Sequence, residues 1–327
     1  MLLTRRDMMI CCAGGAIALT APAGAQAAYP AQRITVVVPF AAGGATDLLA
    51  RMVAEQLKRG LRATVVVENR PGAASTVGAA QVAKAPPDGY TLLMATSTTL
   101  AISKTLYRKL PYDPLTDFTP ITLVAAVPFC LVVNPSLPVG SLKDLIAYAR
   151  SKPGELTFAS SGIGTPHHLG AEMLKTAAGL DMKHAIYRGS APAMQDVVGG
   201  HVPLMIVDLQ PALPQIRAGT LKVLGVTTPT RVAAAPDVPT LAEAGLPGFE
   251  LVAWQGIVAP AGVPRPIVDK LAREIAALVA APETRQRLVG MALEPLPGST
   301  PDSFAAFVRS EVQRWAPIVR ASGAMLD

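Results

Sequence analysis

The β-branched run Arg33-Ile-Thr-Val-Val-Val38 is stopped by Pro39 and followed by a glycine-bearing loop, after which Leu48, Leu49, Met52, Val53 and Leu57 fall on one helical stripe. This strand, loop and helix succession recurs along the chain and constrains the fold more than any other feature. Strands are expected at 63–67 and 90–95, with a helix at 75–84 and a Pro-Pro-Asp-Gly turn at 86–89 between them. Further apolar strand segments occur at 121–126, 129–133, 156–159, 204–207 and 223–227, and helical patterns at 142–150, 166–177, 191–198 and 211–218. Such alternation predicts an α/β fold with a mostly parallel sheet covered by helices.

Half of the 327 residues are hydrophobic, which is enough to fill a core and excludes a disordered chain. Beyond roughly 250 residues a chain divides into two domains rather than enlarging one. After Gly248 a strand at 252–259 is expected, then a helix carrying Ile267, Leu271, Ile275 and Leu278. A last helix is opened by Pro301 and striped by Phe304, Phe307, Val308, Val312, Trp315 and Val319. One strand and a few helices cannot cover both faces of a sheet of their own, so the tail is expected to return to the first unit. The expected organisation is a first lobe over 28–129, a second over 130–252 and a return over 253–327. The two crossings, near 127–131 and 250–254, would permit hinge closure over a cleft.

Arg5 and Arg6, the apolar stretch 8–21 and the small-x-small sequence Ala25-Gln-Ala27 read as an export signal over residues 1–27. Thr4-Arg5-Arg6 resembles a twin-arginine leader, although Asp7, Met8 and Met9 match it loosely, so the Sec and twin-arginine routes both stay open. The periplasm is the expected compartment. Cys11 and Cys12 lie in the leader, and Cys130, flanked by Phe129 and Leu131, is expected to be buried. The formal charge is +6 without a run of basic residues, which excludes nucleic acid as a partner and does not repel small anions.

Chemistry is carried by the loops between strands and helices. Pro39-Phe-Ala-Ala-Gly-Gly-Ala-Thr-Asp47 places amides around Gly43, Gly44 and Thr46 at a helix start, where a carboxylate or phosphate is favoured. Phe40 would cover an apolar part of the ligand. Asp47 would cap or orient the loop, because it would repel a ligand carboxylate. Phe158-Ala-Ser-Ser-Gly-Ile-Gly-Thr-Pro-His-His168 repeats the arrangement, with Ser160, Ser161 and Thr165 as hydroxyl donors or, on the structural reading, helix caps. Thr96, Ser97 and Thr98 follow a strand, and Arg188 in Tyr187-Arg-Gly-Ser-Ala191 would grip a carboxylate or stay solvated. Asp208 ends an apolar strand, where it would cap the next helix or meet a ligand hydroxyl, amine or bridging water.

Other chemistry does not assemble. His167 and His168 are adjacent and cannot share a metal from a regular helix, and His168 with Glu172 supplies two ligands without a third, so no metal is expected. No nucleophile elbow, dinucleotide loop or phosphate-binding lysine motif occurs, and no cofactor is expected. Trp254 is either an aromatic wall or core.

In order and spacing, the motifs Pro39–Asp47, Glu68-Asn-Arg-Pro-Gly-Ala73, Pro87-Asp-Gly-Tyr-Thr91, Phe158-Ala-Ser-Ser-Gly-Ile-Gly164, His168-Leu-Gly-Ala-Glu172, Tyr187-Arg-Gly-Ser-Ala-Pro192, Pro239-Thr-Leu-Ala-Glu-Ala-Gly245 and Ala259-Pro-Ala-Gly-Val-Pro264 resemble the tripartite tricarboxylate transporter substrate-binding (Bug) family. The resemblance implies a two-lobed periplasmic-binding-protein (Venus flytrap) fold, type II-like with two crossover strands. It also implies a non-enzymatic, monomeric receptor that captures a small organic carboxylate and delivers it to membrane permease subunits. By the same likeness Gly43, Gly44 and Asp47 belong to a loop gripping a carboxylate partly through water. The 160–168 and 187–191 loops, with Ser160, Ser161, Thr165, His168, Arg188, Gly189 and Ser190, would face the ligand, as would Ser97 and Asp208. Two alternatives stay open: an exported hydrolase acting on a small organic acid, and a receptor that serves signalling. A bulky residue at Gly43 is expected to suppress binding without unfolding the protein.

Overall fold

The structure, a computed structural model, describes residues 29–327, and the leader expected over 1–27 lies outside the described residues. The first half opens with β1 (Ile34–Val38), α1 (Ala45–Leu61), β2 (Val65–Asn69), α2 (Thr76–Ala83) and β3 (Thr91–Thr96). A single wide helical turn over Thr98–Ile102 leads into α3 (Ser103–Leu106). The long strand β4 (Phe118–Val133) then carries the chain into α4 (Leu142–Ser151), β5 (Thr157–Ser160), α5 (Pro166–Ala178) and β6 (Lys183–Ile186). There follow α6 (Ser190–Val198), β7 (Leu204–Asp208), α7 (Leu209–Arg217) and β8 (Lys222–Val226). The chain comes back through β9 (Val252–Pro260), α8 (Arg265–Ala280), α9 (Pro282–Gly290), the short β10 (Glu294–Pro295) and α10 (Pro301–Ala321).

The strands lie in the order β2-β1-β3-β9-β4-β7-β5-β6, with β10 and β8 also paired to β4. Pairing is parallel for β1 with β2 and β3, and for β5 with β6 and β7. Every pairing that involves β4 or β9 is antiparallel, which corrects the expectation of a mostly parallel sheet. The reason is connectivity. A chain that leaves one half along β4 and re-enters along β9 passes the same junction in opposite directions, so the two strands lie antiparallel.

The sequence suggests two segments at 121–126 and 129–133, but β4 is one strand of 16 residues. Its first part pairs with β9 as far as Pro128 opposite Val252, and from Phe129 opposite Asp208 onward it pairs with β7 and β8. Pro128, which has no amide hydrogen to offer a ladder, therefore sits where the strand changes partners. Thr227 ties the two crossings together there. Its amide donates to Phe129 O (2.9 Å), its hydroxyl donates to Leu251 O (2.6 Å) and lies 3.2 Å from Phe129 O, and Leu251 N–H donates to Thr227 O at 2.9 Å.

Leu49, Val53 and Leu57 of α1 are fully buried, as their helical spacing predicts, and so is Cys130, whose thiol is pushed well up by desolvation. The returning segment is locked by polar contacts inside the core. The chain's two tryptophans both donate to one carboxylate: Trp254 Nε1 on β9 and Trp315 Nε1 on α10 lie 2.8 and 2.9 Å from Glu311 Oε2. Trp254 also packs edge-on against Phe304 and Phe307, so it belongs to the core rather than to a ligand wall. Removing the shared acceptor leaves two buried indole donors unsatisfied. Glu311→Ala should cost about 2–6 kcal/mol, from ~1–3 per orphaned group, measurable as a lower urea midpoint followed by tryptophan emission.

Candidate ligand-binding site

Loops that follow parallel strands at their C-terminal ends line the ligand crevice of open α/β sheets. Here β1 and β3 are parallel neighbours in one half, and β7, β5 and β6 in the other, so their following loops share an edge within each half. The two edges meet. A methyl group at Gly164, in the loop after β5, would fall 2.3 Å from Leu106 Cδ2 at the end of α3, which follows β3. Gly164 is also left-handed, with φ +73°, so this close approach demands glycine.

In the β1–α1 loop, Asp47 is buried and its carboxylate is fully engaged. It receives Gly43 N–H (3.1 Å), Arg51 Nε and Nη2 (both 3.0 Å) and Asn69 Nδ2 (3.0 Å), and Asn69 also holds Phe40 O at 3.1 Å. Burial pushes the carboxyl up, but these donors outweigh it and hold Asp47 below its ordinary value. Asp47 therefore organises the loop and is neutralised by Arg51, as expected of a residue that cannot itself face a carboxylate. The helix start beyond it stays open. Gly44 precedes α1, and the amides of Ala45, Thr46 and Asp47 belong to the first turn, which has no intrahelical acceptor. Gly43 and Gly44 are exposed, and a Cβ on either would meet nothing within 4 Å. Only Gly43, with φ +93°, is conformationally restricted to glycine. Phe40 is half-buried against the core beside this loop.

Beyond β3, Thr96 Oγ1, Thr99 Oγ1 and Ser75 Oγ form a buried chain with steps of 3.0 and 3.1 Å. Ser97 Oγ is fully buried without a hydrogen-bond partner, and so is Oε1 of Gln255, which is 5% exposed. Gln255 lies directly across the ladder from Thr96. Two orphaned polar atoms beside one strand end are costly in a finished core. Gln255, absent from the residues the sequence singled out, is the one polar side chain of the otherwise apolar β9.

The β5–α5 loop spends most of its hydrogen bonds on itself. Thr165 Oγ1 donates to Gly162 O (2.7 Å) and accepts from His168 N–H (3.4 Å), so it stands as the cap of α5. Ser160, fully buried, accepts from Gly162 N–H (3.2 Å) and lies 2.5 Å from His184 Nε2. His168 Nδ1 accepts Gly164 N–H at 3.2 Å, and its ring stacks on His184 at 4.3 Å and 11°, while Phe158 also stacks on His184 at 4.7 Å. Both rings are pushed down to about 4, His168 by burial and the Lys175 charge, His184 by burial first and then repulsion from His168. Both are neutral at pH 7.

Ser161 is used differently. Its Oγ lies 2.7 Å from His167 Nδ1, and His167 Nε2 lies 3.1 Å from Asp208 Oδ2. The ring between them is buried, with the edge of Phe129 5.3 Å away, while Asp208 keeps 24% of its side chain exposed. Asp208 occupies the cap position of α7 but makes no side-chain cap, so its carboxylate is held by His167 instead. His167, which the sequence analysis considered only as a metal ligand, joins two site residues from different strands. Arg188 is exposed and has no ion-pair partner among the described residues; Gly189, with φ +141°, and Ser190 open α6 beside it. No group of three metal-ligating side chains occurs among the described residues.

Two α/β halves joined at β4 and β9, with loops meeting across one edge, define a two-lobed solute-binding protein. The chain matches the tripartite tricarboxylate transporter family receptor over residues 49–324 and belongs to that family. Protein BugT of Bordetella pertussis is 37% identical over 75% of this chain and 75% of its own length. Among solved structures, R. palustris Rpa4515 with adipate is similar with a TM-score of 0.85 at 39% identity, covering 91% of this chain and 100% of that one. MatC (Rpa3494) from Rhodopseudomonas palustris with bound malate gives 0.80 at 34%, covering 89% and 100%. The family and these neighbours are solute-binding receptors, and no helix among the described residues is long and apolar enough to cross a membrane.

The histidine stack has a pH signature. An unfolded chain binds protons near the ordinary histidine value of 6.5, whereas the native stack refuses them until about 4. Acidification through that window favours the unfolded state, so stability should fall from pH 6.5 toward 4. His184→Phe keeps an aromatic ring against Phe158 and removes one titrating group. Urea midpoints between pH 7 and 4.5 should decline less steeply in this variant than in the natural chain.

Proposed function

We propose that the protein is a periplasmic receptor that captures a small organic carboxylate between its lobes and delivers it to tripartite tricarboxylate-type permease subunits. The single observation that carries this reading is the open start of α1, where unpaired amides and an uncrowded Gly44 stand beside an Asp47 whose charge Arg51 has already neutralised. A helix start of this kind replaces the water lost by a carboxylate. Adipate and malate on similar receptors are both carboxylates and support the ligand class. Arg188 is assigned to a second anionic group. Ser97 and Gln255 are assigned to the carboxylate or to a water beside it.

The lobes are assigned as 28–129 and 130–252 with the return over 253–327, and the 1–27 leader is assigned to export of a monomer. Contacts from both lobes to one ligand shift the population toward the closed form. The hydrolase alternative would draw on Ser161, His167 and Asp208, which have the residue types of a nucleophilic triad. Recovery of a co-purified acid chemically intact after release separates capture from turnover.

Gly44 is a cleaner place than Gly43 to test the site, because Gly44 has ordinary extended dihedrals and Gly43 does not. Gly44→Leu should project into the space over the helix start. It should weaken adipate and malate binding by about tenfold or more, as loss of one charge-assisted hydrogen bond would, while the melting temperature stays within a few degrees. Isothermal titration showing unchanged affinity for whichever acid binds the natural chain would remove the carboxylate from α1.

A further inference from the structure

The loops after β1 and β5 do not offer the same hydrogen-bonding character. In the first lobe the open groups are donors, the amides at the start of α1. In the second lobe the loop expected to supply donors has spent most of them. Gly162 N–H, Gly164 N–H, Thr165 N–H and the Thr165 hydroxyl all have acceptors within the loop or on His168. Pro166, at the start of α5, has no amide hydrogen, and the amide of His168 is capped by Thr165.

The Ser161–His167–Asp208 chain extends this to the side chains. An ionised carboxylate has no hydrogen to give, so the contact of 3.1 Å between Asp208 Oδ2 and His167 Nε2 places the hydrogen on Nε2. In the tautomer whose one hydrogen is on Nε2, Nδ1 is an acceptor, and the contact of 2.7 Å to Ser161 Oγ is then the hydroxyl donating to Nδ1. Ser161, half-buried at the end of β5, keeps only lone pairs for anything in front of it. Asp208 Oδ1 has no partner among the described residues and adds a second acceptor, one strand away at the end of β7. His167 thus acts as a positioning residue that makes Ser161 an acceptor.

We infer that the ligand is a carboxylic acid that also carries a hydroxyl or ammonium donor, its carboxylate held at α1 and its donor group directed at Asp208 and Ser161. This rests on the carboxylate-receptor reading and deepens it. A plain acid placed against Ser161 and Asp208 would face acceptors without a hydrogen to share, and Asp208 Oδ1 would gain no donor from it. The geometry favours the ammonium most, because Asp208 then gains an opposite charge as well as a hydrogen bond.

Two measurements test the inference. Long-range 1H–15N spectra of the intact protein report the His167 tautomer at neutral pH. The expected state is Nε2–H with a bare Nδ1; an Nδ1–H or doubly protonated ring frees the Ser161 hydroxyl and overturns the proposal. Titration calorimetry with matched acids reads the consequence: succinate against malate and aspartate, glutarate against glutamate, and benzoate against its 4-hydroxy and 4-amino forms. In at least one set a donor-bearing acid should bind at least tenfold tighter than its plain partner, and that ratio should shrink at least threefold in Asp208→Asn and in Ser161→Ala. Plain acids that bind as tightly as their partners overturn this inference and leave the carboxylate receptor standing. No binding by any acid overturns both. If either variant fails to fold, the spectra and the wild-type ratios still decide.

Discussion

Both passages of the chain between the lobes converge on Thr227, and the rest of the architecture depends on that junction. One hydroxyl and one amide bind Phe129, where β4 enters the second lobe, and the same residue binds Leu251, where the chain leaves it. The two crossings cannot drift apart without breaking buried hydrogen bonds. Asp208 pairs with Phe129 at this same level.

The site owes its character to which polar groups the protein satisfies internally. Asp47 would be a liability beside an anionic guest, and Arg51, Asn69 and Gly43 absorb its charge. Ser160, Thr165 and His168 are consumed in holding the β5–α5 loop against the stacked imidazoles. What remains unspent is a small set: helix amides and Ser97 on one side, Asp208, Ser161 and Arg188 on the other. Selectivity in such a cleft follows from the residue that remains unpaired as much as from the residue that makes contact.

The succession of strands and helices was legible because apolar period carries it: α1, α5, α8 and α10 begin and stripe where Leu48, Pro166, Ile267 and Pro301 indicate. The return of the tail to the first half followed from burial alone. The unity of β4 was not legible, because Pro128 reads as a break and only the change of partner strand explains why it is tolerated. The loop positions of the candidate residues were visible, but their donor or acceptor roles were not. That Thr165 caps, that Ser160 faces His184 and that His167 couples Ser161 to Asp208 depend on contacts between residues whose order in sequence says nothing of their proximity.

Cys130 lies near the end of β4, where the strand pairs with β7 and β8, fully buried and with its thiol raised well above its ordinary value. Apart from Cys11 and Cys12 it is the chain's only sulfhydryl, and maleimide reagents need an accessible thiolate. A chain prepared without residues 1–27 is therefore blank toward such dyes. Cysteines engineered on the two lips, for instance beside Arg188 and beside Gly44, could be coloured without background, turning the receptor into an optical gauge of its own guest.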